Sequence, residues 1–388
     1  MIENERPERG AIYRRIGVEP IINGATTMTY LGGSLMPPEV LDAMQQAAEC
    51  FVDLNELQAA VGRRIAELTR NEAAFVTGGA AAGLFLSAVV CIAREGGADG
   101  VVRPRELDGL PRDFLVQHAH RVPYDAAIEL AGGRLVEIGS LDRTSELEFE
   151  RAIGPQTAGI IYVAGAHLAE GALTLDVLVR LAHARDVPVI VDAAAQLPPV
   201  ESLWSFTAAG ADLALFSGGK ALCGPASTGL VLGRARYVDR FAAHAAPRQR
   251  IGRPMKVGKE DLIGILAAVE WYLRQDHAAL GRGYEAMVDH VVAWASERPD
   301  IGAMREIPGQ AGQPTPRVRL TLAPDFAPHR DEILAHLRDG PPRIELLPAV
   351  DDGFYLAPET LRPGEETVVT QRLGEVLQGY ATGTRQTD

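Results

Sequence analysis

Short apolar runs alternate with amphipathic stretches through the middle of this chain. Segments 73–77 (AAFVT), 113–117 (DFLVQ), 134–139 (RLVEIG), 159–165 (GIIYVAG), 187–192 (VPVIVD), 211–217 (ADLALFS) and 228–233 (TGLVLG) largely lack polar alternation. They predict strands buried on both faces. Helical spacing predicts helices over about 80–94, 124–131 and 175–185 between them, which gives an α/β domain with a mostly parallel sheet. Before this region, residues 1–12 read as an arm and 19–38 as loop with short extended pieces. Pro37-Pro38 opens a helix over 39–50, and a second helix spans 57–69. After residue 255 the rhythm changes. Helices over 259–274, 284–297 and 330–337, with strands at 316–324, 344–348 and 353–358, predict a smaller α+β domain. The expected division is an N-terminal arm and helix (1–60), a large α/β domain (61–255) and a small domain (256–388) that opens on a long connecting helix. The final ATGTRQTD is expected to fray.

Composition narrows the class. The chain has 388 residues, 47% of them hydrophobic and 23% charged, enough for a large core and too ordered in composition for wholesale disorder. Its net charge of −13 argues against a broad nucleic-acid surface. Cys50, Cys91 and Cys223 show no CxxC spacing, so neither a disulfide framework nor a zinc site is expected, and a reducing cytoplasm fits. The charged start MIENERPERG has no apolar signal core, and apolar stretches are broken before the roughly 18 residues a membrane helix needs.

Ligands in open α/β sheets bind at the C-terminal ends of strands, so the residues after each strand carry the candidate chemistry. TGGAAAG (77–83) joins a strand to a helix; its small residues and the helix N-terminus suit a phosphate. No GK[ST] follows, which disfavours a nucleoside triphosphate. The alternative is a small-residue packing turn. Asp192 ends VPVIVD, where it could pair with a ring nitrogen, bind a metal or cap the next segment. Lys220 ends SGGK (217–220). Most lysines are solvated charges, but a desolvated amine in a Gly-rich strand-end turn is a Schiff-base candidate. Together, a phosphate site, an acid for a pyridinium nitrogen and a Schiff-base lysine are what pyridoxal phosphate requires. Asp192 precedes Lys220 by 28 residues, room for one crossover between neighbouring strands.

TGGAAAG, VDAAAQLPP, FSGGKALCGPASTGLVLGR and IGRPMKVGKED resemble the pyridoxal-phosphate enzymes grouped with bacterial selenocysteine synthase and D-glucosaminate-6-phosphate ammonia-lyase. The resemblance runs from about Tyr13 to Tyr272; beyond 275 only the general α+β character matches. It implies the aspartate-aminotransferase fold, fold type I. It also implies that Lys220 carries the cofactor and shuttles the Cα proton, and that Asp192 pairs with the ring nitrogen. Thr77, Gly78, Gly79, Ala80 and Ser217 would hold the phosphate. A histidine of QHAHR would stack on the ring, His120 in preference to His118, and His167 would face cofactor or substrate. Arg253 and Lys256 would bind an anionic group, within the subunit or across a dimer interface; the alternative is a solvated basic stretch. Thr29 and Tyr30 of TTMTYLGG would line the pocket, and Arg317 and Arg319 are weaker candidates for a carboxylate clamp. No metal site is expected.

The reaction implied is α,β-elimination from a β-hydroxy amino acid or amino sugar acid, giving a 2-oxo acid and ammonia. Racemisation, transamination and a selenocysteine-synthase-like transfer are the alternatives, and a non-catalytic ligand-binding member is a further one. Acidic charge argues against the tRNA-dependent transfer. The expected partners are a small amino acid substrate and a second copy of the chain in at least a homodimer, with no membrane and no nucleic acid.

Overall fold

The computed structural model describes residues 9–93, 107–140 and 142–382. Residues 1–8 of the expected arm, the last residue of the helix expected over 80–94 and 383–388 of the expected frayed end lie outside the described residues. Contacts divide the chain into two units. The larger holds Gly32–Asp276 and Gln310–Pro314; the smaller holds Met1–Leu31, His277–Gly309 and Thr315–Asp388.

The larger unit is built on seven strands: β1 (Ala73–Thr77), β2 (Asp113–Gln117), β3 (Arg134–Ile138), β4 (Thr157–Val163), β5 (Val189–Asp192), β6 (Leu213–Ser217) and β7 (Gly229–Gly233). Their spatial order is β1-β7-β6-β5-β4-β2-β3. Strands β2 to β6 run parallel, and β7 is antiparallel to both β6 and β1. Two antiparallel steps restore direction, so β1 ends at the same sheet edge as β2 to β6. All seven predicted strands are present; the antiparallel placement of β7 is a tertiary result. Its apolar run is buried on both faces like its neighbours, so patterning cannot tell its direction.

Helix Ala80–Ala93 is buried from Ala82 to its end. A helix apolar all round belongs inside, and this one packs against the sheet, holding its N-terminus at the edge where the strands end. Phe114 and Phe241 are 0% exposed in the surrounding core. Each contributes about 2–3 kcal/mol by burial. Helix Leu54–Leu68 starts at Asp53, whose carboxylate accepts from the Asn55 and Glu56 amides. Helix Glu146–Ala152 was not anticipated, although Ser145 and Glu148 form a capping box that is visible in sequence. Helix Ser202–Ala208 was also not anticipated.

The division differs from the expected boundaries at 60 and 255. Helix Lys259–Leu273 packs on helices Pro38–Ala48 and Leu54–Leu68 within the larger unit. Gly264 lets it approach closely, since a Cβ there would lie 2.8 Å from Met44 Cγ. That helix therefore belongs with the sheet it covers.

The smaller unit contains a four-stranded antiparallel sheet, in the order Leu347–Pro348, Gly353–Leu356, Arg317–Leu322 and Ile301–Glu306. A parallel pair joins Ile21–Asn23 to Arg343–Glu345. Helices His277–Ser296, Arg330–Asp339 and Glu365–Ala381 complete it. The strand at 301–306 and the last helix were not anticipated.

Gly62 of helix Leu54–Leu68 faces β1 so closely that a Cβ would lie 2.4 Å from the Ala74 carbonyl oxygen. Gly62→Ala is expected to destabilise the larger unit by about 1–3 kcal/mol, read as a lower urea midpoint with an unchanged slope.

Candidate active site

The strand ends converge as the β-sheet direction requires. After β1, the Thr77 hydroxyl donates to the Gly79 carbonyl (2.9 Å) and the Gly79 amide donates to the Thr77 carbonyl (2.9 Å). Gly79 takes φ +95°, and the space where its Cβ would stand is open. Helix Ala80–Ala93 begins here with no acidic residue in its first turn. Free amides, a positive helix end and an open cradle suit an anion. Thr77, 2% exposed, shapes this turn with its hydroxyl.

Asp192 ends β5, and Lys220 follows the adjacent strand β6. Burial pushes the Lys220 amine below the usual lysine range, partly offset by Asp192. Burial pushes the Asp192 carboxyl up, opposed by a hydrogen bond from the Ala194 amide (3.0 Å) and by Lys220. Among the described residues the Lys220 amine has no hydrogen bond or ion pair, so it is a partly desolvated nucleophile. Backbone packing fixes the lysine turn. The Gly218 amide donates to the Thr228 carbonyl (2.8 Å) and the Gly224 amide to the Gly218 carbonyl (2.8 Å). Ser34 donates through its amide (2.9 Å) and hydroxyl (3.0 Å) to the Gly219 carbonyl. A Cβ on Gly219 would lie 2.5 Å from Ala226 Cα. The Ser217 amide donates to the Ala194 carbonyl (3.3 Å), joining the lysine and aspartate turns. Thr228, Ser34 and Gln196 went unnoticed in sequence; the GP-x3-G tail after Lys220 was the available signal for Thr228.

The three candidate histidines differ sharply. His120 is 1% exposed, edge-on to Tyr162 at 4.7 Å between ring centroids. Its Nδ1 accepts from the Val163 amide (3.3 Å), and the ring donates to the Leu168 carbonyl. This ring is a strut beneath the loop after β4. His118 is half-buried and pairs with Glu137, which also binds Arg121. His167 lies in that same loop, exposed on one side and hydrogen-bonded to the Ala311 backbone on the other.

Arg253 and Lys256 lie beside the phosphate-like turn. They line a hollow with Gln58, Thr77 and Met255. Arg253 Nε is buried without a hydrogen-bond partner, whereas Lys256 is exposed. Met255 closes on the turn, its carbonyl 3.1 Å from where a Gly78 Cβ would stand. Thr29 and Tyr30 belong to the smaller unit, where the Tyr30 hydroxyl donates to Glu345 (3.0 Å). Arg317 and Arg319 are also in that unit. Arg317 pairs with Glu306 (3.1 Å) and lies over the Tyr355 ring at 3.8 Å, and Arg319 pairs with Asp351. Among the described residues no His, Cys, Asp or Glu cluster could hold a metal ion.

Residues 21–281 match the family model described as SelA, L-seryl-tRNA selenium transferase. The chain belongs to this family. It is 32% identical over 381 residues to the D-glucosaminate-6-phosphate ammonia lyase of Salmonella typhimurium, covering 95% of this chain and 99% of that protein. It is 34% identical over 380 residues to a 5'-C-glycyluridine monooxygenase-decarboxylase of a Streptomyces species, covering 94% and 92%. A solved structure of D-glucosaminate-6-phosphate ammonia-lyase superposes with a TM-score of 0.83 at 30% identity, covering 95% of this chain and 99% of that one. The SelA-family chain is thus a pyridoxal-phosphate-dependent enzyme of fold type I, on the lyase side of its family. Its own residues fit the cofactor: an open cradle at a helix N-terminus, a half-buried amine without a side-chain partner and a half-buried carboxylate lie at one sheet edge.

His120 titrates at about 4, well below 6.5, because burial disfavours its charge. The unfolded chain therefore takes up this proton first as pH falls. The stabilisation from a neutral His120 is complete above pH 6.5 and is lost as pH falls through the window down to about 4. It amounts to about 3 kcal/mol. Urea unfolding should weaken across that window in the wild type and show a flatter dependence in His120→Asn.

Proposed function

We propose that the protein is an ammonia-lyase acting on a β-hydroxy amino acid with a sugar-derived tail: α,β-elimination of water leaves an enamine, and hydrolysis of its imine form takes that water back and releases a 2-oxo acid and ammonia. The observation that carries the reading is the half-buried Lys220 amine, without a side-chain hydrogen bond and beside Asp192. Two relatives support the substrate class: D-glucosaminate 6-phosphate and 5'-C-glycyluridine, as named, both join an amino-acid head to a sugar-derived part.

Held at Lys220, pyridoxal phosphate would supply an electron sink for the bonds at the substrate Cα. Asp192 pairs with the ring nitrogen and keeps it protonated, the role for which a buried carboxylate lacking a full set of partners is suited. The amides of Gly78, Gly79 and Ala80, with Ser217, hold the phosphate, and Thr77 keeps their turn in shape. A histidine of QHAHR, His120 or His118, would lie against the cofactor ring. Lys220, its basicity lowered by burial, accepts and returns the Cα proton. Arg253 and Lys256 take the anionic end of the substrate; a buried guanidinium nitrogen without a partner favours an anion in that hollow.

The enzyme acts in the cytoplasm as at least a homodimer. Among the described residues no disulfide joins Cys50, Cys91 and Cys223, which suits a reducing compartment. On the larger unit Leu35, Leu41, Phe51 and Val52 are 47–102% exposed, an apolar set suited to cover by a second copy. A monomer in light scattering at micromolar concentration would count against the dimer.

The reading is tested with D- and L-β-hydroxy amino acids and D-glucosaminate 6-phosphate, assaying ammonia, 2-oxo acid and chirality. Stoichiometric ammonia and 2-oxo acid without an amino acceptor is expected; loss of chirality without ammonia would select a racemase instead. Lys220→Ala should abolish both the visible cofactor band and turnover. Asp192→Asn should keep the band and lose about 100-fold in kcat, the scale of about 3 kcal/mol for breaking a buried charge pair. Arg253→Ala should raise KM about 10- to 100-fold for substrates with an anionic tail and leave neutral ones unchanged.

A further inference from the structure

The loop after β4 is gripped from two sides. Beneath it, His120 ties Val163 to Leu168, so the chain between them has both ends fixed. Above it lies Gln310–Pro314, a segment that links two strands of the smaller unit in sequence and belongs by its contacts to the larger one. The Ala311 carbonyl accepts from Gln196 Nε2 at 2.8 Å and from the His167 ring. The Ala311 amide is itself held by Gln313 Oε1 at 3.0 Å.

The packing at this junction leaves no slack. Gly312 takes φ +82°, and a Cβ on it would lie 2.4 Å from the Ala166 amide nitrogen and 3.0 Å from His167 Nδ1. A Cβ on Gly165 would lie 2.8 Å from His167 Nδ1 and 3.1 Å from the Ala311 oxygen. Nδ1 and Cε1 are therefore the ring atoms turned into the junction, on a residue that keeps substantial exposure. His167 stands at the sheet edge that carries the chemistry. Val163 pairs with Asp192, the Ala164 amide donates to the Asp192 carbonyl at 2.9 Å, and Gln196 follows Asp192 in the next loop.

A neutral imidazole has one donor and one acceptor nitrogen, and the bond made by one fixes the role of the other. We propose that His167 is a specificity-determining residue: with Nδ1–H committed to the Ala311 carbonyl, its Nε2 is an acceptor that takes the hydrogen of the substrate's β-hydroxyl. This rests on the lyase reading above and adds how the β-substituent is chosen. Burial lowers the basicity of the ring, which keeps it in the neutral, accepting form. An acceptor at that point favours a hydroxyl and disfavours a carboxylate in the same place. It also fixes rotation about Cα–Cβ, holding the Cβ–O bond in one direction. Gln310–Pro314 acts as the positioning segment, because the Ala311 carbonyl sets the tautomer.

The test uses the cofactor-loaded protein and reads binding from the visible spectrum, independently of turnover. D- and L-serine are compared with D- and L-alanine, which differ only in the β-hydroxyl. The wild type is expected to bind the preferred serine about 10-fold more tightly than the matching alanine, the worth of one hydrogen bond. His167→Phe should erase that ratio by weakening serine alone, and His167→Gln, which returns an acceptor near Nε2, should restore part of it. Gly312→Ala should shift the same ratio in the same direction by pushing the segment off the ring, with the cofactor band intact. Equal weakening of serine and alanine in His167→Phe, or an unchanged ratio, overturns the assignment. So does a wild type that binds serine and alanine alike. A wild type whose cofactor band responds to no amino acid overturns the lyase reading itself, a different outcome from any of these.

Discussion

A lysine amine and an aspartate carboxyl set together in a poorly solvated place govern the larger unit. Each is disfavoured there in its charged form, and each relieves the other only in part. Groups in that condition persist only where the surrounding backbone permits no escape. Most of the structure at this sheet edge can be understood as that confinement.

The confinement is made by main chain and glycine far more than by side-chain bonds. Gly218, Gly219, Gly224 and Thr228 close the lysine turn on itself, and Ser34 braces it through the Gly219 carbonyl. A Cβ on Gly229 would lie 2.4 Å from the Gly79 carbonyl carbon and 2.5 Å from the Ala80 nitrogen. The antiparallel strand β7 therefore presses directly on the turn that opens the long buried helix. One strand thus couples the anion cradle to the lysine turn, through β1 on one side and β6 on the other. Small residues at these points are a packing requirement as much as a way of approaching a phosphate.

The histidines show how one residue type serves opposite purposes according to burial. His120, sealed in the core, accepts an amide hydrogen and donates to a carbonyl, so it works as a neutral link between two backbone points. His167, a few residues along the loop that His120 supports, has one nitrogen occupied by Ala311 and the other side open. His118 keeps accessible surface but is engaged by Glu137. Gln117, fully buried between them, exchanges hydrogen bonds with the Leu173 backbone and so fixes the entry to the next helix.

Much of this was legible in the sequence because it is local. Seven uniformly apolar runs define the sheet, and a residue that follows such a run must lie at a sheet end, so Asp192, Lys220 and the TGGAAAG turn could be read without coordinates. Helix Glu146–Ala152 was legible too, through its capping box, and was overlooked. Other features depend on residues far apart in the chain, for which no local pattern exists. Only tertiary packing decided that β7 runs antiparallel, because a strand buried on both faces has the same composition in either direction. Packing also decided that helix Lys259–Leu273 belongs to the larger unit, that His120 is sealed while His167 is open, and that Arg253 turns a buried nitrogen into a hollow beside Thr77. The same holds for Ala311, whose carbonyl meets residues more than a hundred positions earlier. Sequence determined which chemistry the strand ends carry, since side-chain periodicity sets strand placement. Tertiary structure decided which groups are desolvated and which remain open, since burial depends on every neighbour at once.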